Sequence, residues 1–274
     1  MAYAYPRDGA LDYFPCRYGN SRLMFRGPRR DLDAPYAVVL GGTEVYGKFV
    51  PRPFPDLLEE RLGRPVVNLG CVNAGLDAFL NDADTLQVAR GADWAVVQLL
   101  GAQNLTNRFY TVHPRRNDRF VAASAELRAL YRDVDFTEFT FTRHLLAVLQ
   151  ARSPARFAKL AAELQVAWRD RMTRLLERLP GRRFLLWLGE TAPPPAGLAM
   201  DPLTPAPFVD AAMIRALGQL VDGVVEVRLD PPGQDVSGLA FSPLDAPAAA
   251  AVPAAGDHRR IAEALASALS ASRK

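Results

Sequence analysis

The chain has 274 residues, 49% of them hydrophobic, and a formal net charge of +3. This length predicts one large core and a single domain over residues 1–274. No apolar run approaches the ~20 residues of a membrane helix, and the N-terminus lacks the pattern of a secretory signal, which argues against membrane and exported classes.

The N-terminal segment, residues 1–33, mixes tyrosine, phenylalanine and arginine without a helical or strand period. We interpret it as an irregular arm packed on the body of the protein, and a contribution to a ligand pocket is the alternative. Five short apolar runs with β-branched residues then predict buried strands. They lie at residues 36–40, 65–70, 93–101, 183–189 and 223–230.

Amphipathic spacing between these runs predicts helices. They lie at residues 55–62, 76–90, 154–179, 208–221 and 257–269, with Pro/Ala-rich loops at 191–207 and 231–256. Alternating strands and helices form βαβ units with a parallel sheet. We therefore predict a three-layer α/β/α sandwich around a five-stranded parallel, flavodoxin-like sheet. The long insertion over residues 102–152 follows the third strand, at the edge where ligands bind, and predicts a lid or recognition element.

Polar and glycine residues follow the predicted strands where each one ends. Thr43 and Glu44 come after the first strand, the run 68–75 after the second, and residues 101–104 after the third. His258 lies at the start of the last helix. Because the carboxyl ends of parallel strands meet at one edge, we expect a hydroxyl, glycine amides, a side-chain amide and an imidazole to converge there. Such a set offers a nucleophile, oxyanion donors and a base.

The order of these blocks resembles the SGNH/GDSL hydrolases, esterases of flavodoxin-like fold. The resemblance implies Thr43 as the nucleophile, His258 as the base, and Gly70 or Gly75 with Gln103 or Asn104 as the oxyanion hole. This sequence departs from the family pattern in several places. Thr43 stands where the family has serine, Gly42 where it has aspartate, and Ala255 where it has the aspartate that orients the histidine. In the third block, Gln103 takes the family's asparagine position and Asn104 its aspartate position.

A second resemblance covers longer blocks, and it is to an uncharacterised bacterial family of unknown function. These blocks are Gly41-Gly-Thr-Glu, Asn73-Ala-Gly, Gly101-Ala-Gln-Asn and His113-Pro-Arg-Arg-Asn-Asp-Arg-Phe120. This match is closer than the first one, but it implies no activity.

The insertion contains a cluster of arginines that suits an anionic group. Arginine pairs with carboxylate, sulfate or phosphate through two parallel hydrogen bonds. The predicted substrate-binding residues are Glu44, Asn73, Arg108, His113, Arg115, Arg116 and Arg119. The alternative is a loop whose arginines pair with its own acids, Asp118, Asp133, Asp135 and Glu138.

Other partners have little support in the sequence. The histidines are too far apart to give metal-ligand spacing, and we expect neither metal nor cofactor. Nearly all the positively charged residues are arginine, which is typical of a GC-rich genome, so the positive charge alone is poor evidence for nucleic-acid binding. No nucleic-acid module is recognisable in the sequence. We therefore expect no nucleic-acid partner and no membrane contact. Cys16 and Cys71 lack disulfide-framework spacing, which favours reduced thiols and a cytoplasmic location. The sequence does not indicate an oligomeric state.

Two functions therefore follow from the sequence. The first is a hydrolase or acyltransferase acting on an ester of an anionic small molecule or saccharide. The second is a catalytically silent protein of the same fold that binds an anionic ligand or partner. An imidazole nitrogen within hydrogen-bond distance of Thr43 Oγ1 favours the enzyme, whereas a Thr43 hydroxyl bonded to its own backbone, with His258 facing solvent, favours the binding protein. The order of the four blocks favours the enzyme.

Overall fold

The computed structural model describes residues 11–197, residue 202 and residues 206–271. The strands are β1 (Ala37–Gly41), β2 (Val66–Gly70), β3 (Trp94–Gln98), β4 (Tyr110–His113), β5 (Arg116–Ala123), β6 (Arg182–Gly189) and β7 (Gly223–Arg228). The helices are α1 (Thr43–Tyr46), α2 (Phe54–Leu62), α3 (Leu76–Leu80), α4 (Ala83–Arg90), α5 (Ala125–Leu130), α6 (Thr142–Arg152), α7 (Pro154–Glu177), α8 (Ala211–Ala216), α9 (Ala246–Ala249) and α10 (Ala255–Ala271).

The main sheet has the strand order β2-β1-β3-β6-β7, and each neighbouring pair is parallel. Every residue of β1, β2 and β3 is buried, as apolar runs without alternation predict for a sheet covered on both faces. The predicted five-stranded, flavodoxin-like sheet is therefore confirmed. All five strands direct their carboxyl ends to the same edge, where the site residues are expected.

Helices cover both faces of this sheet. On one face, α2 and α10 pack against the strands through residues such as Phe54, Leu58, Ile261 and Leu265. On the other face, α3, α4 and α7 form the larger core together with the insertion. The helix predicted over 154–179 begins at Pro154, because the Ser153 side chain accepts the N–H of Arg156 and so caps α7.

Two predicted helices are wrong in their extent. The single helix over 76–90 is two helices, because the Asp82 side chain accepts the N–H of Thr85 and so starts α4 as a new N-cap. The helix over 208–221 is reduced to α8 and a 3-10 turn at Gly218–Leu220. Phe208 has φ +68°, which no right-handed helix allows, and Asp210 caps α8 instead.

The N-terminal arm packs on the segment that follows α1. Its first ten residues, and residues 198–201 and 203–205 of the predicted loop, lie outside the described residues. Arg26 is buried and donates to the carbonyls of Gly47 (2.6 Å) and Pro51 (2.9 Å). The described arm is thus held by buried polar contacts, as expected for a segment packed on the body.

The insertion over residues 102–152 folds into an antiparallel hairpin, β4 and β5, followed by α5 and α6. The hairpin is irregular, with register shifts on either side of Val112. Across the described ranges, every helix is too short or too polar to cross a membrane.

Candidate functional site

Thr43 lies at the carboxyl edge of the sheet, where β1 leads into α1. Its hydroxyl accepts the backbone N–H of Asn73 (3.1 Å) and donates to Asn73 Oδ1 (3.3 Å). Asn73 has φ +57°, a left-handed conformation that asparagine tolerates better than most residues. The pair links the ends of β1 and β2, so the two blocks meet as the sequence predicts.

Gln98, the last residue of β3, fixes the turn at the end of β1. Its Oε1 accepts the N–H of Gly42 and its Nε2 donates to Glu44 Oε2, both at 2.8 Å. A Cβ at Gly41 would lie 2.4 Å from Gln98 Oε1, so the close approach requires glycine. Among the described residues, the Glu44 carboxylate is therefore hydrogen-bonded to Gln98 and not to Thr43.

The hairpin of the insertion closes over the Asn73 turn through two neighbouring residues. Asn117 is fully buried, and its Oδ1 accepts the N–H groups of Gly75 (2.9 Å) and Ala78 (3.1 Å). Asp118 Oδ2 accepts the side-chain amide of Asn73 at 3.3 Å. The hairpin thus positions Asn73, the residue that contacts Thr43.

The predicted oxyanion donors are bonded within the protein. The N–H of Gly70 donates to Asn68 Oδ1 (2.9 Å), and that of Gly75 donates to Asn117. Asn104 accepts the Thr142 hydroxyl (2.7 Å) and donates to the Asn73 carbonyl (3.4 Å). Gln103 is close by, with a buried Oε1 that has no hydrogen-bond partner. The structure gathers these residues, but it gives the N–H groups of Gly70 and Gly75 partners other than a ligand.

His258 does not join them by any hydrogen bond among the described residues. Its Nδ1 accepts the backbone N–H of Phe54 at 3.0 Å, and its ring stacks on the Phe54 ring with a centroid distance of 5.8 Å. The side chain is buried, and this burial, with a smaller effect of the Arg26 charge, lowers the pKa of His258 from 6.5 to about 3. The imidazole is a weak base in this position.

The neighbouring Asp257 does not orient His258. Its Oδ1 accepts the N–H of Asp230 (3.1 Å) and pairs with Arg260, while its Oδ2 accepts the N–H of Ala254 (2.9 Å). The carboxylate therefore holds the start of α10 against the segment that follows β7.

The arginines of the hairpin differ in their partners. Arg108 pairs with Glu126, which the sequence did not identify, and Arg116 pairs with Asp118 at 3.4 Å. The Arg119 guanidinium lies 5.3 Å from the centre of the Phe141 ring.

The hairpin turn presents Arg115 without an acid beside it. His113 Nδ1 accepts the backbone N–H groups of Arg115 (3.2 Å) and Arg116 (3.1 Å), so the imidazole shapes the turn. Within the described part of the chain, Arg115 and Arg119 are exposed and form no ion pair. Two of the predicted arginines are thus available to a ligand.

Sequence reasoning missed two residues that build this edge, Gln98 and Asn117. Gln98 is a lone amide in an apolar run that predicts a buried strand, a signal that the sequence contained, because a buried polar side chain needs a partner. Asn117 lies in β5, a strand that the sequence did not predict, so no such signal pointed to it. Over the ranges described, no three His, Cys, Asp or Glu side chains gather closely enough to hold a metal ion.

Several solved structures are similar to this chain. A carbohydrate esterase family 2 enzyme with a carbohydrate binding domain, from Corynascus thermopiles (Myceliophthora fergusii), has 15% identity and a TM-score of 0.47, over 90% of this chain and 69% of that chain. A carbohydrate acetylesterase family member from Sinorhizobium meliloti has 12% identity and a TM-score of 0.41, over 86% and 97%. The aryl esterase of M. smegmatis has 9% identity and a TM-score of 0.44, over 87% and 99%.

The sequence itself matches none of the curated proteins. It does match the family described as a domain of unknown function, DUF6473, over residues 1–273. The resemblance to an uncharacterised family, stated above from the sequence blocks, is thereby confirmed.

Proposed function

The chain belongs to the DUF6473 family, a domain of unknown function, so its function has to be argued from the site itself. We propose that the protein binds a small anionic molecule and does not catalyse acyl transfer. The observation that carries the proposal is the hydrogen bonding of Thr43. Its hydroxyl is engaged by the backbone and side chain of Asn73, and not by an imidazole or a carboxylate. The proposal follows the second of the two functions that the sequence suggests.

A threonine hydroxyl needs a base to become a nucleophile. Its acceptor here is an amide oxygen, which does not take up a proton at neutral pH. His258 is bonded to Phe54, and with a pKa lowered to about 3 by burial it has little proton affinity near pH 7. The carboxylate of Glu44, the neighbour of Thr43 in the chain, accepts the side-chain amide of Gln98. These contacts support a silent site.

Acyl transfer also needs donors aimed at the developing oxyanion. The N–H groups of Gly70 and Gly75 are bonded to Asn68 and Asn117, and the Asn104 amide spans Thr142 and Asn73. Freeing the Gly70 N–H would leave Asn68 Oδ1, on a buried side chain, without its donor. This supports a rigid edge that recognises a ligand over one that stabilises a charge formed during a reaction.

The charge of the hairpin supports an anionic ligand. Arg115 and Arg119 are exposed and have no acid partner in the described part of the chain, while Arg116 is compensated by Asp118. The Phe141 ring beside Arg119 is 43% exposed, and it offers a flat surface for the apolar face of a sugar ring. We therefore favour an acidic saccharide, with a carboxylate, sulfate or phosphate held by the arginines.

Calorimetric titration with glucuronic acid and glucose 6-phosphate, with glucose as the neutral control, tests this proposal. We expect saturable binding of an acidic sugar that weakens at least tenfold in Arg115→Gln/Arg119→Gln. Arg132→Gln/Arg215→Gln removes the same charge at exposed positions elsewhere and should bind as the unmodified protein does. Failure of every acidic sugar to bind, or equal binding to the first variant, contradicts the proposal.

Incubation of the protein with activated acetyl and longer acyl esters tests the alternative, that it is a hydrolase or acyltransferase. The half-exposed hydroxyl of Thr43 at the sheet edge is the observation that favours it. We expect no turnover above that of Thr43→Ala and His258→Asn. Turnover that disappears in Thr43→Ala, with an acyl group trapped on Thr43, would establish the enzyme and overturn the silent site.

A further inference from the structure

A cavity of about 410 Å³ lies between α3, α7 and the β4–β5 hairpin, and Thr43 is not among its lining residues. Its volume is within the range of roughly 300–1,000 Å³ that is usual for small-molecule sites. Leu80, Val112 and Pro114 form apolar walls. The last turns of α7 supply the polar wall, with the arginines Arg171, Arg174 and Arg178.

The three arginines follow each other at helical spacing, so they share one face of α7. Arg171 is fixed by Asp77 (3.2 Å) and by the carbonyl of Thr106 (3.2 Å). Arg174 is more loosely held, by Asp170 at 3.0 Å with a side chain that is 59% exposed.

Arg178 carries the uncompensated charge of the cavity. In the part of the chain that the structure describes, no ion pair involves Arg178, and its hydrogen bonds use only its main chain. Because Asp77 and Asp170 offset the other two arginines, the wall has a net positive charge.

The helix end itself does not explain these arginines. Cations near the last turn often neutralise the terminal carbonyls. At the end of α7 other groups already do so, since Arg183 Nη1 donates to Leu176 O (3.1 Å) and Arg90 Nε donates to Arg178 O (3.4 Å). The guanidinium group of Arg178 is therefore available to the cavity, and that of Arg174 shares its acid partner, Asp170, with Arg171.

We propose that this cavity is a second ligand site, which takes a small organic oxyanion. A carboxylate or phosphate group pairs with Arg178 and Arg174, whose planar guanidinium groups match either anion through two parallel hydrogen bonds. The apolar part of the ligand lies against Leu80, Val112 and Pro114. The site uses none of the hairpin arginines, so it does not depend on the function proposed for the edge at Thr43.

Calorimetric titrations with benzoate and phenyl phosphate test the proposal, with benzyl alcohol as the neutral control and inorganic phosphate as the anion without an apolar part. We expect one of the aromatic anions to bind saturably and to weaken at least tenfold in Arg174→Gln/Arg178→Gln. Benzyl alcohol should not bind. Inorganic phosphate should bind more weakly than phenyl phosphate, and equal affinity would overturn the role of the apolar walls.

All titrations are made in the Arg115→Gln/Arg119→Gln background, so that the other proposed anion site does not contribute. A control variant then locates the binding. Arg169→Gln/Arg215→Gln removes two exposed arginines outside the cavity and should leave the affinity for the aromatic anion unchanged. Absence of saturable binding, or unchanged binding in Arg174→Gln/Arg178→Gln, overturns the proposal. Equal weakening in the Arg169→Gln/Arg215→Gln control would show a response to net charge alone and would also overturn it.

Discussion

His258 Nδ1 accepts the backbone N–H of Phe54 at 3.0 Å, and the two rings stack although 204 positions separate the residues in the chain. This contact joins the start of α2 to the start of α10 in the core on one face of the sheet. A histidine that the sequence suggested as a base thus has a structural role in packing two helices.

The first prediction is a loss of stability in acid that depends on His258. Burial lowers the pKa of His258 from 6.5 to about 3, so the unfolded chain takes up this proton at a higher pH than the folded protein does. The contribution to stability is present above pH 6.5 and is lost as the pH falls towards 3. Urea unfolding at several pH values should show a shallower acid decline for His258→Asn, which keeps an acceptor for Phe54. A decline equal to that of the unmodified protein would contradict the role of His258.

Asn117 is predicted to stabilise the turn that carries Asn73. Asn117→Ala leaves the N–H of Gly75 without its acceptor, at a loss of about 1–3 kcal/mol for a buried group, whereas the N–H of Ala78 keeps the Gly75 carbonyl at 3.2 Å. Asn117→Asp keeps an acceptor at the start of α3 and should lose less. Urea unfolding gives the free energies, and hydrogen exchange at Gly75 should accelerate in Asn117→Ala. Equal stability of the two variants would show that the acceptor is not what matters.

Gly70 is predicted to tolerate no side chain. A Cβ there would lie 2.3 Å from the backbone nitrogen of Tyr46, so alanine must displace α1. Overpacking of this kind costs typically ~1–3 kcal/mol. Gly218→Ala is the matched control, because nothing lies within 4 Å of its Cβ position, and it should change the free energy of unfolding by less than about 0.5 kcal/mol. Similar losses in both variants would argue against the close approach of α1 and β2.

The Thr43 hydroxyl is predicted to stabilise the edge modestly. Thr43→Val removes the acceptor of the Asn73 N–H, at a loss of about 0.5–1.5 kcal/mol, whereas Thr43→Ser keeps it. Hydrogen exchange at the Asn73 amide reports directly on this bond. It should be faster in Thr43→Val and unchanged in Thr43→Ser, and equal exchange rates in both variants would refute the bond.

The sheet was predictable because its strands are apolar runs that end in glycine or polar residues. Because these strands alternate with helices, only a few sheet topologies are compatible with the sequence. The hairpin β4–β5 was not predictable, since its register shifts break the alternation on which strand prediction depends. The break in the helix over 76–90 depended on Asp82, whose side chain also accepts the N–H of Arg22 from the distant arm.

The site could be predicted only as far as topology determines it. The meeting of Thr43, Asn73 and Asn104 follows from the shared edge of neighbouring strands. The position of His258 does not, because the packing of α2 against α10 directs the imidazole to Phe54. A block order identifies which residues share an edge, but the direction of each side chain depends on contacts far away in the sequence.

The packing of α2 against α10 also sets when this face of the sheet can close during synthesis. The ribosome makes α10 after every strand of the sheet, so strands such as β1 wait for a partner made more than 200 residues after them. Until then Val39, Val96 and Leu186 belong to a face that α10 does not yet protect. Exposed apolar surface on a partly folded chain promotes aggregation. This face of the sheet therefore stays open to such association until α10 has been made and packs against α2.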